Sequence, residues 1–231
     1  MNVVEAIRSR KSIRGYRPDG VSKDLLENLL EIAAQAPSSR NIQPWKAHII
    51  SGEVLEKIKR DNVQQLRAGV SPHVDVLSEN QNENREPAFR QRQITVAKQL
   101  FRAMDIQRED IKGRTEWLLR GFRFFDAPAA IILSSSTALI EAVMAFNVAL
   151  FAQTFCLAAV DFQLGTCIAQ QGVSYPEVIR HHTGMPESER IIIGISVGYP
   201  DPAFAANDVL TEREPVNAFA QWHGFEEIRN R

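Results

Sequence analysis

Cysteine is scarce in this chain of 231 residues, with only Cys156 and Cys167 present. Two thiols make no disulfide framework and their spacing suits no zinc site, so a reducing, cytoplasmic compartment and no bound metal are expected. H-E-x-x-H is absent, as are G-x-G-x-x-G and G-x-x-x-x-G-K-[ST]. These absences argue against a zincin, the Rossmann dinucleotide fingerprint and a P-loop. Net charge is also small: 27 Lys and Arg against 28 Asp and Glu leave −1 at pH 7. Neither nucleic acid nor a membrane is therefore expected as a partner, and any anion site must be local. Long apolar runs reduce to one candidate, residues 138–160, interrupted by Glu141, Asn147, Gln153 and Thr154. A core helix accounts for it better than a membrane span. Residues 1–10 carry Glu5 and lack the apolar centre of a signal peptide. No internal repeat, low-complexity tract or domain boundary is visible.

What is present is an ordinary globular composition, 44% hydrophobic and 24% charged, enough for one large core. Val3, Val4 and Ile7 have helical spacing and suggest a short packed helix. Ser22 can cap a second helix whose apolar face is Leu25, Leu26, Leu29, Leu30, Ala33 and Ala36, with Pro37 as its stop. A strand is expected at 46–50, and an amphipathic helix follows Ser51 and Gly52. Residues 69–93 are polar and hold Pro72 and Pro87, so they read as a long excursion, either a cover over a pocket or a tolerated insertion. Residues 94–125 look mostly helical, with breaks or bends at Gly113 and Gly121. Apolar runs at 129–133 and 190–197 suggest strands buried on both faces. Another strand is expected at 163–169, and a short helix at 176–182. Beyond Tyr199, three prolines and scattered aromatics suggest an arm lying on another surface. The whole reads as α/β or α+β around one central sheet.

Two stretches carry chemistry. In residues 9–16, Arg10, Lys11 and Arg14 stand among the hydroxyls of Ser9 and Ser12. Such a cluster can hold a phosphate, the guanidinium as a planar fork of donors and the ammonium as a mobile point charge. A solvated helix end with cations near its negative pole has the same composition. In residues 37–45, Ser38, Ser39, Asn41 and Gln43 are fenced by Pro37 and Pro44. That segment can present donors and acceptors to a planar heterocycle, or be an ordinary turn. A third motif, Gly194-Ile195-Ser196-Val197-Gly198, fits G-x-S-x-G, with Asp201, Asp208 and His223 after it. The nucleophile elbow needs a helix directly after the serine, and Pro200 and Pro202 oppose one. The adjacent His181 and His182 are expected on the surface at a helix end.

Together these motifs resemble a known family. Arg10-x-Ser12-x-Arg14-x-Tyr16 and Ala36-Pro37-Ser38-Ser39-x-Asn41-x-Gln43-Pro44-Trp45 are similar to the N-terminal pattern of the FMN-dependent nitroreductases. Leu164-Gly165-Thr166-Cys167, Gln171-Gly172, Gly198-Tyr199-Pro200 and Arg213-Glu214-Pro215 continue it in the family's order. The resemblance implies an α+β fold, a central mainly antiparallel sheet among helices, and one domain over residues 1–231. Residues 70–125 would be its variable excursion, and residues 199–231 an arm wrapping the second subunit of an intertwined homodimer. It implies FMN as cofactor and NADH or NADPH as hydride donor. Arg10, Ser12 and Arg213 match positions that hold the FMN phosphate and ribityl chain, with Lys11 at a variable position beside them. Arg14 matches a basic residue near the pyrimidine edge. Pro37, Ser38, Ser39 and Asn41 match the segment laid against the flavin by the other subunit. Gln171 and Gly172 match the pair beside its N5–O4 edge, where many relatives carry an acid in place of Gln171. Thr211 stands where some relatives have a second cation.

The expected activity is reduction of a nitroaromatic or quinone by two-electron exchange through one site. No side-chain catalyst is needed, because the flavin carries the chemistry. Reductive dehalogenation, flavin breakdown, a non-catalytic flavin-binding module and a serine hydrolase are the alternatives.

Overall fold

A computed structural model describes residues 1–76 and 86–225. Among them the chain forms seven α-helices and four strands. The helices are α1 (Val3–Ser9), α2 (Lys23–Ala33), α3 (Gly52–Arg67), α4 (Pro87–Ala103), α5 (Ile111–Phe122), α6 (Glu141–Asp161) and α7 (Pro176–Thr183). The strands are β1 (Lys46–Ser51), β2 (Ala129–Ser136), β3 (Gly165–Ala169) and β4 (Glu189–Gly198). They form one sheet in the order β1-β2-β4-β3, antiparallel throughout. The expected α+β architecture with a central antiparallel sheet is therefore observed.

Alternation along β2 explains the layers. Ala129, Ile131 and Leu133 face one side and pack with Met144, Phe151 and Phe155 of α6 and with Leu26 and Leu29 of α2. Ala130 and Ile132 face the other, against Leu55 and Ile58 of α3 and Ile179 of α7. A bulge between Leu133 and Ser134 shifts the register, so Ile192 joins the first layer and Ile191 the second. Both faces are covered, which is why β2 and β4 read as continuous apolar runs. The helix of residues 138–160 is α6. It is long and apolar enough to cross a membrane, and it lies across the sheet with Met144, Val148, Phe151 and Phe155 buried.

Four expectations need correction. Val3, Val4 and Ile7 of α1 are exposed in the single chain, and only Ala6 of that helix is buried. Residues 77–85 of the polar excursion lie outside the described residues, but its last part is helical from Pro87, which suits the first turn of α4. The break in residues 94–125 falls at 104–110 rather than at Gly113. Asp110 caps α5 by accepting the Gly113 N–H at 2.8 Å, so that glycine stands in the first turn. His182 also differs from the solvated residue expected: its ring is mostly buried, and Nε2 lies 2.6 Å from Oδ2 of Asp61, tying α7 to α3.

Candidate functional site

The basic stretch after α1 does not continue as a helix. It runs along the free edge of β3, where Ser12 bridges Thr166 and the Ile13 N–H donates to the Thr166 carbonyl at 2.9 Å. This edge pairing carries Arg14 to the mouth of a cavity of about 480 Å³, within the range usual for small-molecule sites. Cys167, Ile168 and Ala169 of β3 form part of its wall, Trp117 and Phe125 supply aromatic surface, and Gln171 stands on the lining. The Arg14 guanidinium is 5.8 Å from the centroid of the Phe125 ring. Phe124, Phe125 and Asp126 all have left-handed backbone, with φ of 54°, 54° and 59°. Three consecutive non-glycine residues in that region store strain, and here the strained turn carries the ring that faces Arg14.

Arg14 is held by atoms distant in sequence. Its N–H donates to Oδ1 of Asn207 at 2.8 Å, and the Gly15 N–H donates to the same oxygen at 3.1 Å. The Asn207 amide donates back to the Gly15 carbonyl at 2.8 Å and to the Asp201 carbonyl at 3.0 Å. Nη2 of Arg120 donates to the carbonyls of Arg14 at 3.1 Å and Phe125 at 3.3 Å, while Nη1 pairs with Asp126 at 2.8 Å. Burial lowers the pKa of Arg120, and Asp126 opposes that shift. The Phe204 ring lies over Gly15, where any Cβ would come within 2.0 Å of it.

Gln171 is fixed differently. Asn62, fully buried on α3, donates to the carbonyls of Phe122 at 3.0 Å and Gly172 at 2.9 Å, pinning the 3₁₀ turn Gln171–Val173 to α5. The Gln171 side chain lies against the bare backbone of Gly121, where a Cβ would fall 1.8 Å from Oε1. Gly121 is thus a docking point for Gln171 rather than a helix break.

Arg10 caps the C-terminus of α1, and its charge, with that of Arg14, reaches the Cys167 thiol. Burial raises the pKa of that thiol; Arg14, a hydrogen bond with the Ser12 side chain and Arg10 act against the rise. Of the expected residues, Arg14 and Gln171 are brought together on the cavity wall, whereas Ser12 lies beside Thr166 on the β3 edge and Arg10 is not on that wall. Lys11 is turned outward, 3.7 Å from Asp208. Pro37, Ser38, Ser39 and Asn41 are not on the cavity wall of their own chain. Their turn is anchored on α6, where Asn147 Oδ1 accepts the Ser39 N–H at 2.7 Å, and Arg40, Asn41 and Gln43 are left-handed. Arg213 folds back on Thr211, its Nη1 donating to Oγ1 at 2.7 Å, beside a separate recess against α4. Ser196 is buried in the middle of β4 between Ala130 and Cys167, and the strand runs on to Gly198 with no helix directly after the serine, so the elbow of a hydrolase is not formed. Among the described residues, no cluster of His, Cys, Asp and Glu could hold a metal.

Of the residues that build this site, Asn62, Trp117, Arg120 and Asn207 carry no motif. Only the exception to amphipathicity, an Asn on the apolar side of α3, could have pointed to the first of them.

A cationic donor, an amide, aromatic walls and a sheet-edge backbone fit a flat, hydrogen-bonding ring with an anionic end. The comparisons agree. A family model described as "Nitroreductase family" matches residues 7–199. The chain is 30% identical over 218 residues to a nitrobenzene nitroreductase of Ectopseudomonas oleovorans, covering 93% of this chain and 94% of that protein. It is 29% identical, with the same coverage, to a chloronitrobenzene nitroreductase of Comamonas testosteroni. Among solved structures, the FMN-dependent nitroreductase NfnB from Mycobacterium smegmatis, in complex with NADPH, superposes with a TM-score of 0.87 at 25% identity, covering 96% of this chain and 98% of that one. With most of its length matched by that model, the chain belongs to the nitroreductase family.

Proposed function

We propose that this protein is an FMN-dependent oxidoreductase that uses NAD(P)H to reduce nitroaromatic or quinone-type acceptors. The observation that carries the reading is the convergence of Arg14 and Gln171 on one aromatic-walled cavity in a chain of this family. When bound, FMN supplies hydride transfer, taking two electrons from the nicotinamide and giving them to the acceptor. The chain's own residues position and polarise. Arg14 places a fixed positive charge where negative charge develops on a reduced ring, a preorganised interaction that needs no rearrangement during reaction. Gln171, held by Asn62 and Gly121, offers both a donor and an acceptor to the ring edge. Arg10 and Ser12 would hold the phosphate end, and Lys11 and Arg213 would join them only by leaving Asp208 and Thr211. Phe125 and Trp117 give apolar area on which donor and acceptor stack in turn.

In this reading the working form is a homodimer. Its support is the apolar surface left uncovered in one chain: Val3, Val4 and Ile7 of α1, Phe146 of α6, and Phe219, Trp222 and Phe225 of the arm. The partner's Pro37, Ser38, Ser39 and Asn41 would then close the flavin's second side. We read residues 1–231 as one domain with residues 199–231 as that arm, and the two free cysteines suit the cytoplasm.

The test is direct. Purified protein is titrated with FMN, then assayed for NADPH and NADH oxidation with 4-nitrobenzoate or menadione. A yellow dimer that turns over both donor and acceptor is expected. A colourless protein that takes up no FMN at micromolar concentration overturns the reading, and consumption of the flavin itself would move it to flavin breakdown.

A further inference from the structure

Between α4 and α5 lies a second recess of about 510 Å³. Trp117 and Gln171 line both it and the cavity described above, so the two are neighbours. The rest of its lining combines apolar surface, Phe101 and Ile111, with two cations, Arg108 and Arg114. Arg114 Nη1 donates to the Arg108 carbonyl at 3.3 Å, and its guanidinium sits 5.2 Å from the centroid of the Phe101 ring. Neither arginine forms an ion pair among the described residues, unlike Arg60, Arg92, Arg120, Arg123, Arg180 and Arg190. Among the described residues no acid lines the recess, and the exposed Glu109 beside Arg108 is not on its wall. Asp110 caps Gly113, Asp105 accepts from Gln107 at 3.0 Å, and Glu116 pairs with Arg123 at 2.6 Å. Two like charges that share a recess without an acid repel each other, and an anion placed between them relieves that repulsion. Ile111, 78% exposed, provides the apolar flank that a ring-bearing molecule needs beside its charge.

We propose that this recess is an anion subsite of the cavity. Arg108 and Arg114 receive the phosphate or carboxylate of a substrate whose aromatic ring enters past Trp117. The proposal names the substrate class for the function given above and rests on that reading. The chemistry is common to a dinucleotide bearing a 2′-phosphate and to a benzoate-type acceptor, and matched pairs of non-reacting probes separate them.

FMN-loaded protein is titrated calorimetrically with NADP⁺ against NAD⁺, and with benzoate against benzamide, in wild type, R108A/R114A and R108K/R114K. In the alanine variant, one member bearing the added anionic group is expected to weaken about tenfold, about 1.4 kcal/mol, while the counterpart that lacks the group holds within about twofold. The lysine variant should recover much of the loss, because charge is restored without the fork. A loss confined to NADP⁺ assigns the phosphate, and a loss confined to benzoate assigns the carboxylate; both support the subsite. Equal losses within a pair, or none, overturn it. An active, FMN-loaded enzyme blind to both pairs would sink the subsite alone. A protein that discriminates the pairs yet never holds FMN would sink the function and leave the subsite standing.

Discussion

Replacing Asn207 by alanine tests whether the arm positions the cationic end of the site. The side chain is 5% exposed and makes four hydrogen bonds, two accepted from the N–H groups of Arg14 and Gly15 and two donated to the carbonyls of Gly15 and Asp201. Alanine removes all four. The Gly15 carbonyl keeps a second partner, the Asp201 N–H at 3.0 Å, so its loss is small. The Gly15 N–H is buried and becomes an orphan, at a cost of about 1–3 kcal/mol, while the half-buried Arg14 N–H can recruit water and costs less. The total is about 3 kcal/mol, which in a chain of this size lowers Tm by roughly 6–12 °C. Thermal unfolding of the FMN-loaded protein reads that number. The functional consequence needs a second assay, because a merely structural residue would also lower Tm. If Asn207 acts through Arg14, then Asn207→Ala and Arg14→Met will each weaken FMN binding, and the double variant will be little worse than Arg14→Met alone. Fluorescence titration of FMN measures the cycle. Additive losses, or a destabilised Asn207→Ala protein with wild-type FMN affinity, would refute the positioning argument.

Gly121→Ala puts a methyl where Gln171 now lies, 1.8 Å from its Oε1. Helix propensity favours the change by about 1 kcal/mol, so Tm should hold or rise while kcat/KM falls about 10- to 100-fold, a split that differential scanning calorimetry and steady-state kinetics resolve. Glu189 is buried, which disfavours its charge, but hydrogen bonds from Lys46 (2.8 Å), His48 (2.8 Å) and Ser134 (2.7 Å) outweigh that and hold its pKa at about 2 rather than 4.5. A depressed carboxylate contributes stability above its unfolded pKa and loses it as pH falls through the folded one. Glu189→Gln should therefore cost about 3 kcal/mol at pH 7, and urea midpoints of variant and wild type should converge from pH 4.5 down towards 2. Arg10→Ala should weaken FMN binding about tenfold through loss of a charge-assisted contact, and an unchanged dissociation constant in the titration would remove Arg10 from the site. Ser196 keeps a buried hydroxyl without a partner among the described residues, so Ser196→Ala should be neutral or slightly stabilising and leave NAD(P)H oxidation intact.

How much could be read in advance follows from what each residue bonds to. Ser22 was legible as the cap of α2 because its partner, the Leu25 N–H, is three residues away. The strands β2 and β4 were legible because burial on both faces leaves no polar alternation to interrupt them. Arg14 and Gln171 were both named by the motifs, and both stand on one cavity wall although 157 positions separate them. Asn62, Arg120 and Asn207 were not legible, although the geometry depends on them. The bonds that tie them to the site run to backbone carbonyls and amides 60 to 193 positions away, and a backbone atom carries no residue identity for a motif to record. An asparagine that saturates four buried bonds is written with the same letter as one in a solvated turn. The same reasoning covers Gly121: read along the chain it breaks a helix, and only the arrival of Gln171 from the turn after β3 makes it a contact. Exposure of Val3, Val4 and Ile7 reverses the logic. Their helical spacing was read correctly, but spacing marks only that a face is to be covered and not which chain covers it. A dimer that buries that face would make the original expectation true of the assembly, and light scattering of Val4→Glu against wild type decides it: dissociation is expected, and an unchanged mass would leave the face without a partner.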